Sequence, residues 1–176
     1  MRRSIIVATA VLASAGLGYA APTGSDPDIS TLNPAVLKYV LPDKIPWQVT
    51  PGLDTAFLYG NPNQPGFYVL LFKWKPGNSS RPHYHSTDRH IVVMSGTWWV
   101  GAGTEFDLEA KTAPVKPGTY VTHYARQVHY DGSRKEDPEP AVELVWGMGP
   151  VMTVGCDGPN GEKGPGPCED ARKAAH

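Results

Sequence analysis

Short apolar stretches separated by turn residues run the length of the chain, and none keeps an apolar face at helical spacing for three turns. Residues 66–74 are apolar on both faces, as in a strand buried centrally between two layers. Residues 141–148 alternate instead. Val142, Leu144, Trp146 and Met148 share one face, with Glu143 and Val145 on the other. Further strands are predicted over 47–49, 55–58, 90–95, 97–101 and 120–123, where β-branched and aromatic residues suit a pleated, half-buried surface. One helical turn is expected within 34–41, ended by Pro42. No repeat of fixed period is visible. With 19 Gly and 18 Pro falling between the apolar stretches, the pattern predicts one all-β domain rich in turns.

The two ends read differently from the middle. Arg2 and Arg3 precede a short apolar run over 5–17, and Gly18 and Ala20 are small residues placed as a signal peptidase requires. A cleaved signal peptide over 1–20 follows, then a polar leader over 21–33, the β domain over 34–150 and a flexible tail over 151–176. A retained membrane anchor is the rival, but the run is short for a span and Pro22, Gly24 and Pro27 follow it at once. The expectation is a periplasmic or secreted protein without a stable membrane anchor. Loss of Arg2 and Arg3 leaves 14 Lys+Arg against 17 Asp+Glu, a net charge of −3. That balance lacks the basic stripe a nucleic-acid surface needs. The two cysteines, Cys156 and Cys168, lie in the Gly/Pro-rich tail, where export favours one disulfide over a metal or catalytic pair. Closing so short a loop contributes on the order of 2–3 kcal/mol.

Five of the six histidines fall between positions 83 and 129. In an extended strand His83 and His85 point to the same face, so both imidazoles can reach one ion. His129 arrives from a second hairpin, and His123 stands just before the turn that leads to it.

These residues carry a resemblance. Gly77, five residues and then His83-Tyr84-His85, followed by residues 91–96, is similar to the first cupin motif. Pro117-Gly118, with Val128-His129 ten residues later, resembles the second. The turn Gly96-Thr97 with Gly101 and the ending Gly147-Met148-Gly149-Pro150 resemble small one-domain cupins, and the likeness runs from about Leu32 to Pro150. It extends to the cupin domain of metal-binding anti-sigma-type proteins. The implied fold is a cupin β-barrel, a jelly-roll sandwich, and the implied metal ligands are His83, His85 and His129. The glutamate such cupins add has no clean counterpart: Arg89 occupies its place, with His90 the alternative under looser spacing. Arginine offers no lone pair to a cation. Either the site is three-histidine, or His90 turns inward as a fourth ligand, or the metal has been lost. Imidazole donors suit Zn, Fe, Ni or Cu better than Mg or Ca.

Around the cluster, His123 is the first candidate for proton transfer, since a free imidazole titrates near neutrality. Arg89 either clamps a substrate carboxylate or pairs with Asp88, Glu105 or Glu143. Tyr84, Tyr120 and Tyr130 are candidates to bring hydroxyls near the metal, with Tyr130 grouped with His123 and Arg89 as a catalytic candidate. Asp131 is placed to orient His129. Of the neighbours Trp98 and Trp99, one should pack inward and the other outward. The leading functional expectation is a metalloprotein acting on a small organic molecule, with oxidation first among reaction types by resemblance to three-histidine dioxygenases and metal-assisted hydrolysis or isomerisation next. The alternative is a metal- or ligand-binding module without turnover. A homodimer that covers strand edges accords with either.

Overall fold

A computed structural model describes residues 28–156 and Cys168; the expected signal peptide lies outside the described residues. The chain divides into two units, 1–39 and 40–176. In the first, Asp28 caps a 3-10 turn at Ile29–Thr31 by accepting a hydrogen bond from the Ser30 amide. The second holds another 3-10 turn at Pro42–Lys44 and all ten strands. The single turn expected within 34–41 is present at 34–36, where Asn33 O accepts from the Val36 and Leu37 amides at 3.0 and 3.1 Å.

The strands are β1 (Leu53–Tyr59), β2 (Gly66–Trp74), β3 (His83–His85), β4 (Arg89–Ser95) and β5 (Trp98–Ala102), then β6 (Ala113–Val115), β7 (Tyr120–His123), β8 (His129–Gly132), β9 (Ala141–Gly149) and β10 (Thr153–Gly155). They form two five-stranded antiparallel sheets, in the orders β1-β2-β9-β4-β7 and β10-β3-β8-β5-β6. This is an all-β sandwich of the cupin type. The expected strands over 66–74 and 120–123 are β2 and β7, while 47–49 reduces to one bridge between Gln48 and Thr55. Among the described residues no helix is long and apolar enough to cross a membrane.

Side-chain alternation sorts the first sheet into two faces. Leu70, Ile91, Val93 and Val145 are buried with Tyr68, Trp74, Trp98 and Ala141 in the core between the sheets. On β9 the inward face is the one bearing Glu143 and Val145; Leu144 and Trp146 are half-buried and Met148 is exposed. On β4 the inward set is Arg89, Ile91 and Val93, which puts His90 on the outer face.

The tail requires a correction. Thr153–Gly155 pairs antiparallel with His83–His85, so residues 151–156 belong to the sandwich and not to a flexible extension. The edge of β3 presents backbone N–H and C=O groups that need partners, and β10 supplies them. The Ser86 amide donates to Met152 O and the Cys156 amide to Pro82 O, extending the seam on both sides. The expected disulfide joins Cys156 to Cys168.

Candidate metal centre

The second sheet assembles the histidines. His83 and His129 are register partners across β3 and β8, and His85 stands two residues on from His83 on the same face. Gly77, at φ +80°, makes the turn ahead of β3 in a conformation that side chains resist. The His83 and His85 Nε2 atoms are 3.2 Å apart. Ligands about 2.0–2.1 Å from a tetrahedral ion stand roughly 3.4 Å from one another, so this is the spacing of two ligands. Donor atoms of His83, His85 and His129 all lie within 4.8 Å of one another.

The protons can be placed from the partners. His83 Nδ1 faces Arg81 O at 2.7 Å and His129 Nδ1 faces Gln127 O at 3.0 Å. A carbonyl only accepts, so both rings carry their proton on Nδ1 and keep a lone pair on Nε2. At His85, Arg89 Nη1 lies 2.9 Å from Nε2, and a guanidinium only donates. The His85 proton therefore sits on Nδ1 and is donated to Thr153 Oγ1, 3.0 Å away. Three Nε2 lone pairs thus converge, and His129 Nε2 is buried without a partner. Burial holds the His85 and His129 rings neutral. It pushes the His129 imidazole down to about 4, with the Asp131 charge opposing, and lowers His85 far below the usual value with help from Arg89. Neutral, tautomerically fixed imidazoles with backbone or hydroxyl partners on the far nitrogen are suited to a divalent transition metal. The residues could hold such an ion.

A cavity of about 380 Å³ opens beside the cluster. Its apolar wall includes Phe72, Ile91, Trp98 and Val145, and its polar groups include Arg89, His123, Asp131 and Glu143. Glu143 is 1% exposed, with Oε1 unpartnered. Burial first, and the Asp131 carboxylate second, push its carboxyl well above the ordinary range. Sequence reasoning placed Glu143 only as one partner for Arg89, because alternation along β9 does not reveal which face is enclosed.

The other candidates separate. His90 is not the fourth ligand: its Nδ1 meets Tyr120 Oη at 2.7 Å and its ring stacks on Trp146, outside the barrel. Strand alternation from Arg89 turns it away. Tyr130 is no catalytic residue by position. Its hydroxyl shares its one proton between Glu105 O and Lys111 O, 3.1 and 3.2 Å away, and its ring packs on Gly101, where a Cβ would come within 2.3 Å of the ring. It anchors the 105–111 loop. Neither Tyr84 nor the exposed Tyr120 lines the cavity. His123 does, with its ring centroid 3.7 Å from that of His129. Burial lowers its imidazole to about 2, so it stays neutral and is poorly matched to the proton-transfer role its free titration suggested. Asp131 does not orient His129, a task Gln127 O performs; it accepts from Ser80 Oγ and joins His123 and His129 in a second close group of donors. Trp98 packs inward on the cavity and Trp99 turns out to Asp137. Thr153 escaped the sequence reading because residues past Pro150 lack patterning; the β-branched pair Thr153-Val154 is the signal that was there.

The sequence matches the family model of the ChrR cupin-like domain over residues 37–139, more than half of the chain. The chain belongs to that family. Solved structures with the same fold as this ChrR cupin-like domain include the polyketide cyclase RemF from Streptomyces resistomycificus, with a TM-score of 0.53 at 19% identity, covering 67% of this chain and 85% of that one. Another is a cupin-fold protein of unknown function from Ralstonia eutropha, with a TM-score of 0.53 at 17% identity, covering 66% and 75%. At such identities the likeness is one of fold. No curated protein matches the sequence.

Proposed function

We propose that this ChrR cupin-like domain binds one divalent transition metal, Zn, Fe, Ni or Cu, through His83, His85 and His129, and acts on a small organic molecule held in the adjoining cavity. The observation that carries the reading is the convergence of three Nε2 lone pairs with every ring proton committed to Nδ1. Lone pairs facing one another repel, and a shared cation relieves that. Bound there, the ion would supply a Lewis-acid or redox centre with coordination positions left over for a ligand. Oxidation is the reaction class placed first, on the strength of a three-imidazole donor set without a carboxylate. The protein's own part is to hold the rings, exclude water with the Phe72 and Trp98 wall, and present Arg89 and Glu143 to the ligand. Export to the periplasm or medium fits the Cys156–Cys168 disulfide, which an oxidising compartment preserves.

A second reading, a binding module without turnover, draws on Arg89: a fixed cation beside the cluster weakens its hold on a metal ion. Both are tested on the chain from Ala21 onward, purified without a histidine tag, by elemental mass spectrometry. Near-stoichiometric metal, absent from the His83→Ala/His129→Ala double variant, supports the metalloprotein. No metal in either, after reconstitution with Zn or Fe, leaves the ligand-binding barrel.

A further inference from the structure

Arg89 and a metal ion compete for one lone pair. Arg89 Nη1 donates to His85 Nε2 at 2.9 Å, and that nitrogen has no second pair to offer an ion. Occupation of the histidine cluster therefore breaks the Arg89 hydrogen bond. The chain's own competing acceptor is Glu143, whose Oε1 is unpartnered in the same cavity, but burial raises its carboxyl well above the ordinary range and favours the neutral acid, a poor partner for a guanidinium. Nε of Arg89 is already buried without a partner, and besides His85 the side chain meets the ring of Phe72, 5.2 Å from the guanidinium carbon. No ion pair to Asp131 or Glu143 holds it. A guanidinium so released would lie desolvated on an aromatic wall, beside a doubly charged ion, and facing a cavity of about 380 Å³. An anionic oxygen is the group that satisfies all three conditions. It fills the empty donors, offsets the repulsion between two cations, and is recognised in fork geometry.

We propose that Arg89 is a metal-released anion clamp: loading the His83–His85–His129 site frees its guanidinium to bind the carboxylate of a small ligand with an aromatic or other apolar body, which Phe72, Ile91 and Trp98 enclose. The inference rests on the metal reading above and adds the ligand class and a coupling. Metal and carboxylate strengthen each other's binding, and by linkage the factor is the same in both directions.

The probes are Zn²⁺ and benzoate. Benzoate affinity is measured by titration calorimetry on metal-free and zinc-loaded protein, and zinc affinity by chelator competition with and without saturating benzoate. Benzoate is expected to bind at least about tenfold more tightly to the zinc-loaded form, with zinc gaining the same factor. Arg89→Met should keep zinc and lose the enhancement. Equal benzoate affinity with and without zinc overturns the clamp, as does full enhancement in Arg89→Met, which would mean that the ion alone holds the carboxylate. Should Arg89→Met fail to fold, Arg89→Lys serves: it keeps the charge without the fork, should lose most of the enhancement, and overturns the proposal by keeping all of it. Wild-type protein that binds no zinc sinks the metal reading and the clamp together; zinc bound without coupling sinks the clamp alone.

Discussion

His83 and His129 face each other as register partners across β3 and β8, the one pairing that joins these two strands. Their side chains are thereby held on the same face of the second sheet, with ring centroids 4.5 Å apart. Backbone carbonyls two residues upstream, at Arg81 and Gln127, then fix each ring's proton.

That relationship separates ligand from bystander. His90→Ala should leave bound metal unchanged, because the ring stacks on Trp146 outside the barrel. His83→Ala should reduce it to background. Elemental analysis of the two variants after dialysis makes the comparison, and a loss of metal in His90→Ala would contradict the assignment of faces on β4.

Thr153 is the hydroxyl partner of His85 Nδ1, contributed by a strand that begins beyond the family match. Thr153→Val keeps the shape and removes the acceptor. Metal affinity should fall about 10–100-fold, as for other lost partners of ligating imidazoles. Chelator competition reads this, with far-ultraviolet circular dichroism to show that the fold is kept.

Tyr130→Phe should cost about 0.5–1.5 kcal/mol in urea unfolding, since the buried tyrosine loses its hydrogen bond to the Glu105 and Lys111 carbonyls. Metal stoichiometry should stay at the wild-type value. A loss of metal without a loss of stability would restore Tyr130 to the site.

Acid should destabilise the metal-free protein early. Burial lowers His129 to about 4 and His123 to about 2, whereas the unfolded chain takes up protons on these rings below about 6.5. Folding is thus favoured fully above that value and progressively less as pH falls toward 4 and below. Thermal melts of metal-free protein from pH 7.5 to 4.5 should show the decline. His129→Gln should flatten its upper part, and an unchanged slope in that variant would assign the effect elsewhere.

Glu143 runs the opposite way. Its carboxyl is raised in the folded state, so the stability of its protonated form is complete below the unfolded value of 4.5 and is lost as pH rises. Glu143→Gln imitates the protonated acid without titrating. Its melting temperature should exceed wild type at pH 7.5 and match it near pH 4; equal values at both would show that the buried acid costs nothing.

The chain's local chemistry made much of this legible. Period-two alternation grouped Glu143 with Val145 and set them apart from Leu144 and Trp146, and the His-x-His spacing placed two imidazoles on one face, because the direction of a side chain in a strand is a local property. The motif glycines and prolines marked the turns, and the two cysteines their bridge. What alternation cannot say is which face is enclosed. On β9 the mostly apolar face carries exposed Met148, and the face with the buried acid looks inward, a choice made only when β9 is sandwiched between β2 and β4 against the second sheet. Packing likewise sent His90 outward to Trp146, buried Tyr130 under a loop, and brought Thr153 to His85 across 68 positions of sequence. Those placements depend on strand neighbours distant in the chain, and no local pattern encodes a partner that folding alone brings within reach.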